Sequence, residues 1–171
     1  MSIDMTWRTA IGAQFHAAID MLENAVCACP GTLWGDRDRR PEFWYLVYHT
    51  LFWLDYYLAD SERDFAPPAP FMLGERDPEG VMPDRVYTKD ELLGYLRHGR
   101  SRLGTVLDAM TGARAAAPCG FERRDMSAGE LLLYNLRHVQ HHAAQLHLIL
   151  RQSTDSVPGW VSRGPDAVER P

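Results

Sequence analysis

Apolar residues recur at three- and four-residue spacing from about Thr6 to Cys27. Trp7, Ile11, Phe15, Ala18, Leu22 and Val26 form one stripe, the mark of an amphipathic helix with a single buried face. "CPGT" follows and stops it. A second segment, from near Pro41 to about Asp60, is apolar almost all round. That predicts the most buried helix, with Pro41 suited to its first turn. A third stripe runs through Leu92, Tyr95, Leu96, Leu103, Val106, Leu107 and Met110. It follows "TKDE", where Thr88 and Glu91 have the spacing of a capping box. Ser127 and Glu130 repeat that spacing at the head of a fourth segment, which runs to about Gln152.

Between the second and third segments lies "SERDFAPPAPFMLGERDPEGVMPDR", with five prolines and two glycines. It is no continuous helix. A connection this long inside a compact domain crosses over the fold or covers a site. No strand alternation persists and no repeat is visible. The pattern predicts an all-α protein: a four-helix bundle of antiparallel type over residues 1–152, with its long connection between helices 2 and 3. The Pro/Gly/Ser-rich remainder, residues 153–171, reads as an irregular tail, with Trp160 and Val161 as the residues that would dock it on the bundle.

Composition narrows the function classes. The 171 residues are 46% hydrophobic and 24% charged, ordinary for one globular domain. A net charge of −5 argues against nucleic acid as a partner. The stretch "FWYLVYHTLFWLDYYLA" approaches the length of a membrane span, but it carries His49, Asp55 and four tyrosines; a buried helix, not a membrane one, is expected. The N-terminus lacks the apolar run of a signal peptide, so a cytoplasmic protein is expected. The three cysteines, Cys27, Cys29 and Cys119, form neither a disulfide framework nor a C-x-x-C motif and read as free thiols.

Histidine is the residue that changes the picture. "RHVQHHAAQLHLILRQ", Arg137 to Gln152, holds four of the seven. His138 and His142 are four apart and share a helix face, so both imidazoles can reach one metal ion. His141, three residues after His138, is the alternative partner. His147 points elsewhere. A third ligand has to come from another helix, and His49, amid "WYLVYHTLFWL", is placed for it. The alternative for His49 is a core histidine bonded to a carbonyl or a tyrosine hydroxyl. Gln145 follows His142 by three on the same face, and Tyr45 and Tyr56 lie four before and seven after His49. These three are candidates for contact with a bound cofactor or substrate. His98, in "YLRHGR", reads as solvated, and His16 as a possible flank. Asp55, six residues after His49, turns to another face.

These residues resemble a known family. "RHVQHHAAQL" is similar to the fourth-helix motif of the DinB-like (YfiT-like) metalloenzymes, which share a fold with mycothiol-dependent maleylpyruvate isomerase and bacillithiol transferases. That motif is a histidine, three residues, then His-Arg-Gly-Gln. His138 and His142 match its two histidines and Gln145 its glutamine; Ala143 and Ala144 replace the Arg-Gly pair. "YHTLFWLDYYL" resembles the family's second-helix segment. The resemblance covers roughly Met5 to Gln152. It implies a bundle, often dimeric, that binds a divalent metal through His49, His138 and His142.

Three imidazoles leave a divalent ion its full charge and open positions, the pattern of a catalytic site. Such an ion lowers the pKa of bound water to about 7 or holds a thiol as thiolate. The expected function is therefore a metal-dependent transferase that moves a low-molecular-weight thiol onto an electrophilic small molecule. The alternatives are a hydrolase using water, and a non-catalytic metal-binding or interaction bundle. Zinc or nickel is the expected metal, ahead of iron or manganese. A homodimer is the expected assembly.

Overall fold

The computed structural model describes residues 3–164, with side chains from residue 5. Among them are six helices: α1 (Ile3–Ala28), α2 (Gly31–Trp34), α3 (Phe43–Tyr56), α4 (Lys89–Ala109), α5 (Gly112–Ala116) and α6 (Ala128–Thr154). The described residues form no strand, and no helix among them is long and apolar enough to cross a membrane. The four long helices are those the apolar pattern predicts. Both capping boxes form. Glu91 N–H donates to Thr88 Oγ1 (3.2 Å) and Thr88 N–H to Glu91 Oε2 (2.8 Å). Ser127 and Glu130 make the same pair of bonds, each cap being worth about 1 kcal/mol. The second helix is shorter than expected. It starts at Phe43 with Glu42 as its N-cap, so Pro41 stands outside it, and it ends at Tyr56 rather than near Asp60.

Four packed pairs make the bundle: α1 with α6, α1 with α4, α3 with α6, and α3 with α4. Their cross-contacts set the directions. Arg100 of α4 pairs with Asp20 and Glu23 of α1, while Arg8 donates to the carbonyl of Asp108; these two helices are antiparallel. So are α3 and α6, where Asn135 donates to the Leu54 carbonyl and His49 meets His142. By contrast α1 and α6 run parallel, with Trp7 beside Gly129 and the Met21 carbonyl bonded to His147. α3 and α4 are parallel too: Tyr48 packs on Tyr87 just before α4, Leu54 on Gly99, and the Leu58 carbonyl accepts from Arg102. The bundle thus runs up, down, down, up, which corrects the simple antiparallel expectation.

That parallel pair explains the long connection. The chain leaves α3 at one end and must return the length of the helix, about 21 Å at 1.5 Å per residue, before α4 can start. Aromatic anchors hold the return path. Phe71 stacks on Tyr95 of α4 at 4.4 Å and packs on Tyr48 of α3 and on Tyr87. The Tyr48 hydroxyl donates to the Met72 carbonyl at 2.9 Å. These contacts place a 3-10 turn, Leu73–Arg76, against the flank of α3.

The tail lies along α1. Gly164 N–H donates to the Ala13 carbonyl at 2.9 Å, and a Cβ at Gly164 would fall 2.5 Å from that of His16. Val161 is half-buried, but Trp160 is 70% exposed and does not dock as expected. Residues 165–171 of the tail lie outside the described residues.

Candidate metal centre

His49 projects from α3, and His138 and His142 from one face of α6. Because α3 and α6 are antiparallel neighbours, the three rings meet. Their centroids stand 4.5 Å apart for His138–His142, 5.0 Å for His49–His142 and 5.5 Å for His49–His138. One ligand atom from each falls within 4.8 Å of the others, so the group could hold a metal ion. It is the one such group of histidine, cysteine or acidic side chains among the described residues.

The surroundings set which nitrogens face inward. His49 Nδ1 stands 2.7 Å from Glu75 Oε2, so in the neutral ring Nδ1 carries the hydrogen and Nε2 the lone pair. His142 Nδ1–H donates to Gln145 Oε1 at 2.7 Å, with the same result. A bond of this kind fixes the tautomer and the ring angle of a metal-binding histidine. His138 is held by packing, and its Nδ1 is buried without a hydrogen-bond partner. A core histidine looks different: His147 is buried and its ring bonds the Met21 carbonyl at 2.9 Å. Neutral imidazoles, one with an unsatisfied nitrogen, fit a cation.

Electrostatics point the same way. Burial holds the His138 imidazole down to about 3, and the neighbouring histidines and Arg124 add to the effect. Burial also takes His142 down to about 4, against the opposing bond to Gln145. Neither ring has to lose a proton near neutral pH to accept a cation. Glu75 supplies the buried carboxylate that touches the cluster. Burial pushes its carboxyl up, but hydrogen bonds from His49, Tyr45 and Trp53 outweigh this and hold it below the usual range.

A family model described as the DinB superfamily matches residues 14–146, a span that holds all three histidines, Glu75 and Gln145. The chain belongs to the DinB superfamily. Comparison with curated proteins and with solved structures found no match.

The other candidates of this DinB chain divide cleanly. Gln145 is brought to the cluster, and so is Tyr45, whose ring lies 6.4 Å from that of His49 and whose hydroxyl bonds Glu75. Tyr56 is directed elsewhere: its hydroxyl donates to Glu62 at 3.2 Å, and Arg76 lies over its ring. His141 is exposed and outside the ligand group, with its ring against the edge of His142. His98 is not simply solvated. It faces the fully buried Asp55 at 3.4 Å, which Arg102 also approaches at 3.3 Å. His16 is buried under the tail at Gly164, away from the cluster.

Sequence reasoning missed two participants. Trp53 reads as core, yet its Nε1–H donates to Glu75 Oε2 at 3.2 Å. Glu75 itself sits among several acidic residues of the crossover, and no periodicity or spacing marks it. Only the folded path of that segment carries it to His49.

Proposed function

We infer that His49, His138 and His142 bind one divalent metal ion, and that the protein is a transferase joining a low-molecular-weight thiol to an electrophile. The convergence of three imidazoles, two of them oriented by outer hydrogen bonds, carries this reading. A divalent ion there would act as a Lewis acid and lower the pKa of a thiol beside it. The chain's own residues do the rest. Glu75 and Gln145 keep the His49 and His142 rings in the binding tautomer, while Tyr45 and Trp53 hold Glu75. In the transfer, the sulfur forms a bond to carbon, the leaving group departs with its electron pair, and the thiol proton passes to solvent.

No cysteine stands in the histidine group to act as nucleophile. The Cys29 thiol is buried and pushed up to about 11. Cys27 and Cys119 lie outside the histidine group. Thiol consumption, followed with a panel of small thiols and aryl or alkyl halides, is therefore expected to require metal and to stop on chelation. It should survive replacement of all three cysteines by Ser. Turnover that depends on one of those cysteines, or that continues unchanged in the chelated protein, would overturn the reading. Release of product from esters or amides without any thiol would instead identify a hydrolase.

Homodimeric assembly belongs to the same proposal. Leu148 on the outer face of α6 is 54% exposed, and the exposed Trp160 helps line the same shallow cavity. Apolar surface of this kind suits a two-fold contact. Sedimentation should give a dimer mass at micromolar concentration. A monomer mass independent of concentration would sink it.

A further inference from the structure

We propose that Arg124 binds a carboxylate carried by the small molecule that the histidine site accepts. This deepens the transferase reading and rests on it.

Arg124 lies in the connection between α5 and α6. That connection is pinned by a hydrogen bond from Cys119 N–H to the Met126 carbonyl (3.0 Å). It also closes tightly on the chain just after α3: a Cβ at Gly120 would fall 1.9 Å from the Asp60 carbonyl oxygen. The guanidinium sits 4.5 Å from the ring centre of Tyr134 and 5.3 Å from that of Tyr57. It donates to the Tyr57 hydroxyl at 2.7 Å. Tyr57 in turn packs edge-on against His138, with ring centroids 6.4 Å apart. One aromatic ring therefore separates Arg124 from a histidine of the site.

Its pairing differs from that of the arginines that brace the helices with ion pairs. Arg100 faces Asp20 and Glu23, Arg102 faces Asp55, and Arg114 faces Asp60. Arg124 has no carboxylate within ion-pair distance among the described residues; its side-chain partners are tyrosines. Two rings hold the fork flat without neutralising it. A guanidinium has five N–H donors in a rigid plane, and a carboxylate matches two of them at once. Glu75 is the one buried acid at the histidines, and it is already committed to His49 and Trp53. With a divalent ion bound, positive charge exceeds negative charge around the site. An anionic substrate group relieves that excess, and Arg124 is placed to orient it.

The bland alternative is that Arg124 only braces Tyr57 and Tyr134. Binding separates the two. The probes are 3-mercaptopropionate and 6-mercaptohexanoate, each against its neutral methyl ester. Each is titrated into the cobalt-loaded protein and read from the near-ultraviolet band that a sulfur ligand gives cobalt. At least one acid is expected to bind about tenfold or more tighter than its ester, the scale of a charge-assisted hydrogen bond. Arg124→Met should abolish that preference and leave the ester's affinity in place, and Arg124→Lys should keep part of it. Equal binding of acid and ester by the unaltered protein overturns the proposal, and that comparison needs no variant. So does an Arg124→Met protein that loses acid and ester binding alike. Failure of cobalt to load would instead overturn the metal reading, and this inference with it.

Discussion

Replacing His49, His138 or His142 by Ala is expected to lower metal affinity by more than about 100-fold. The reason is the donor count. In the proposed centre each histidine is one of three protein ligands, and the loss of one leaves a pair that cannot close around an ion. Removing even an outer partner of a ligand typically costs about 10–100-fold, so removing the ligand must cost more. His141→Ala should change affinity little, because that ring is exposed and outside the group. His147→Ala should also leave metal binding alone while loosening the contact between α6 and α1, since its ring bonds the Met21 carbonyl. Competition against a chromophoric chelator, on protein purified without a histidine tag, measures all five variants. Thermal unfolding shows which are folded. Full metal content in His142→Ala together with loss in His141→Ala would show that a different face of α6 carries the site.

Glu75→Gln is the second large effect, expected to weaken metal binding by about 10–100-fold with little change in fold. The carboxylate accepts from His49 Nδ1 at 2.7 Å and from Trp53 Nε1 at 3.2 Å, and Tyr45 bonds it as well. Its charge makes the His49 ring a stronger donor through Nε2. Its position selects the tautomer in which Nε2 is free. An amide keeps the shape but loses the charge, and only its carbonyl oxygen can still accept from His49. Glu79→Gln is the control: Glu79 is an exposed acid of the same crossover whose backbone N–H bonds Asp77. Isothermal titration with zinc compares the two. Unchanged affinity in a folded Glu75→Gln protein would mean that His49 is not oriented by this bond.

The sequence by itself determined what is local. Thr88 with Glu91, and Ser127 with Glu130, mark two helix starts because a capping box needs only residues three apart. The apolar stripes mark the four long helices because a helix repeats every 3.6 residues. The pair His138 and His142 is readable for the same reason: one turn of helix puts both rings on one face. His49 is readable as a costly polar group in an apolar segment, and the pair on another helix makes it the candidate third ligand. Gln145 falls to the same rule as the pair it follows.

The tertiary structure decided whatever depends on the path of the chain between helices. It made α3 and α4 parallel, which stretches the connection between them over the bundle. The Phe71 anchor then fixes where that connection runs. That path delivers Glu75 to His49, 26 positions earlier in sequence, and no periodicity encodes a contact of that kind. Tyr56 shows the converse. Its spacing from His49 suits the site, yet the crossover brings Glu62 to its hydroxyl first. His98 reads as solvated because its neighbours in sequence are polar, whereas α3 sets a buried Asp55 opposite it. Spacing tells which side chains share a face. Only packing tells what that face meets, since the partner's position depends on contacts distant in sequence.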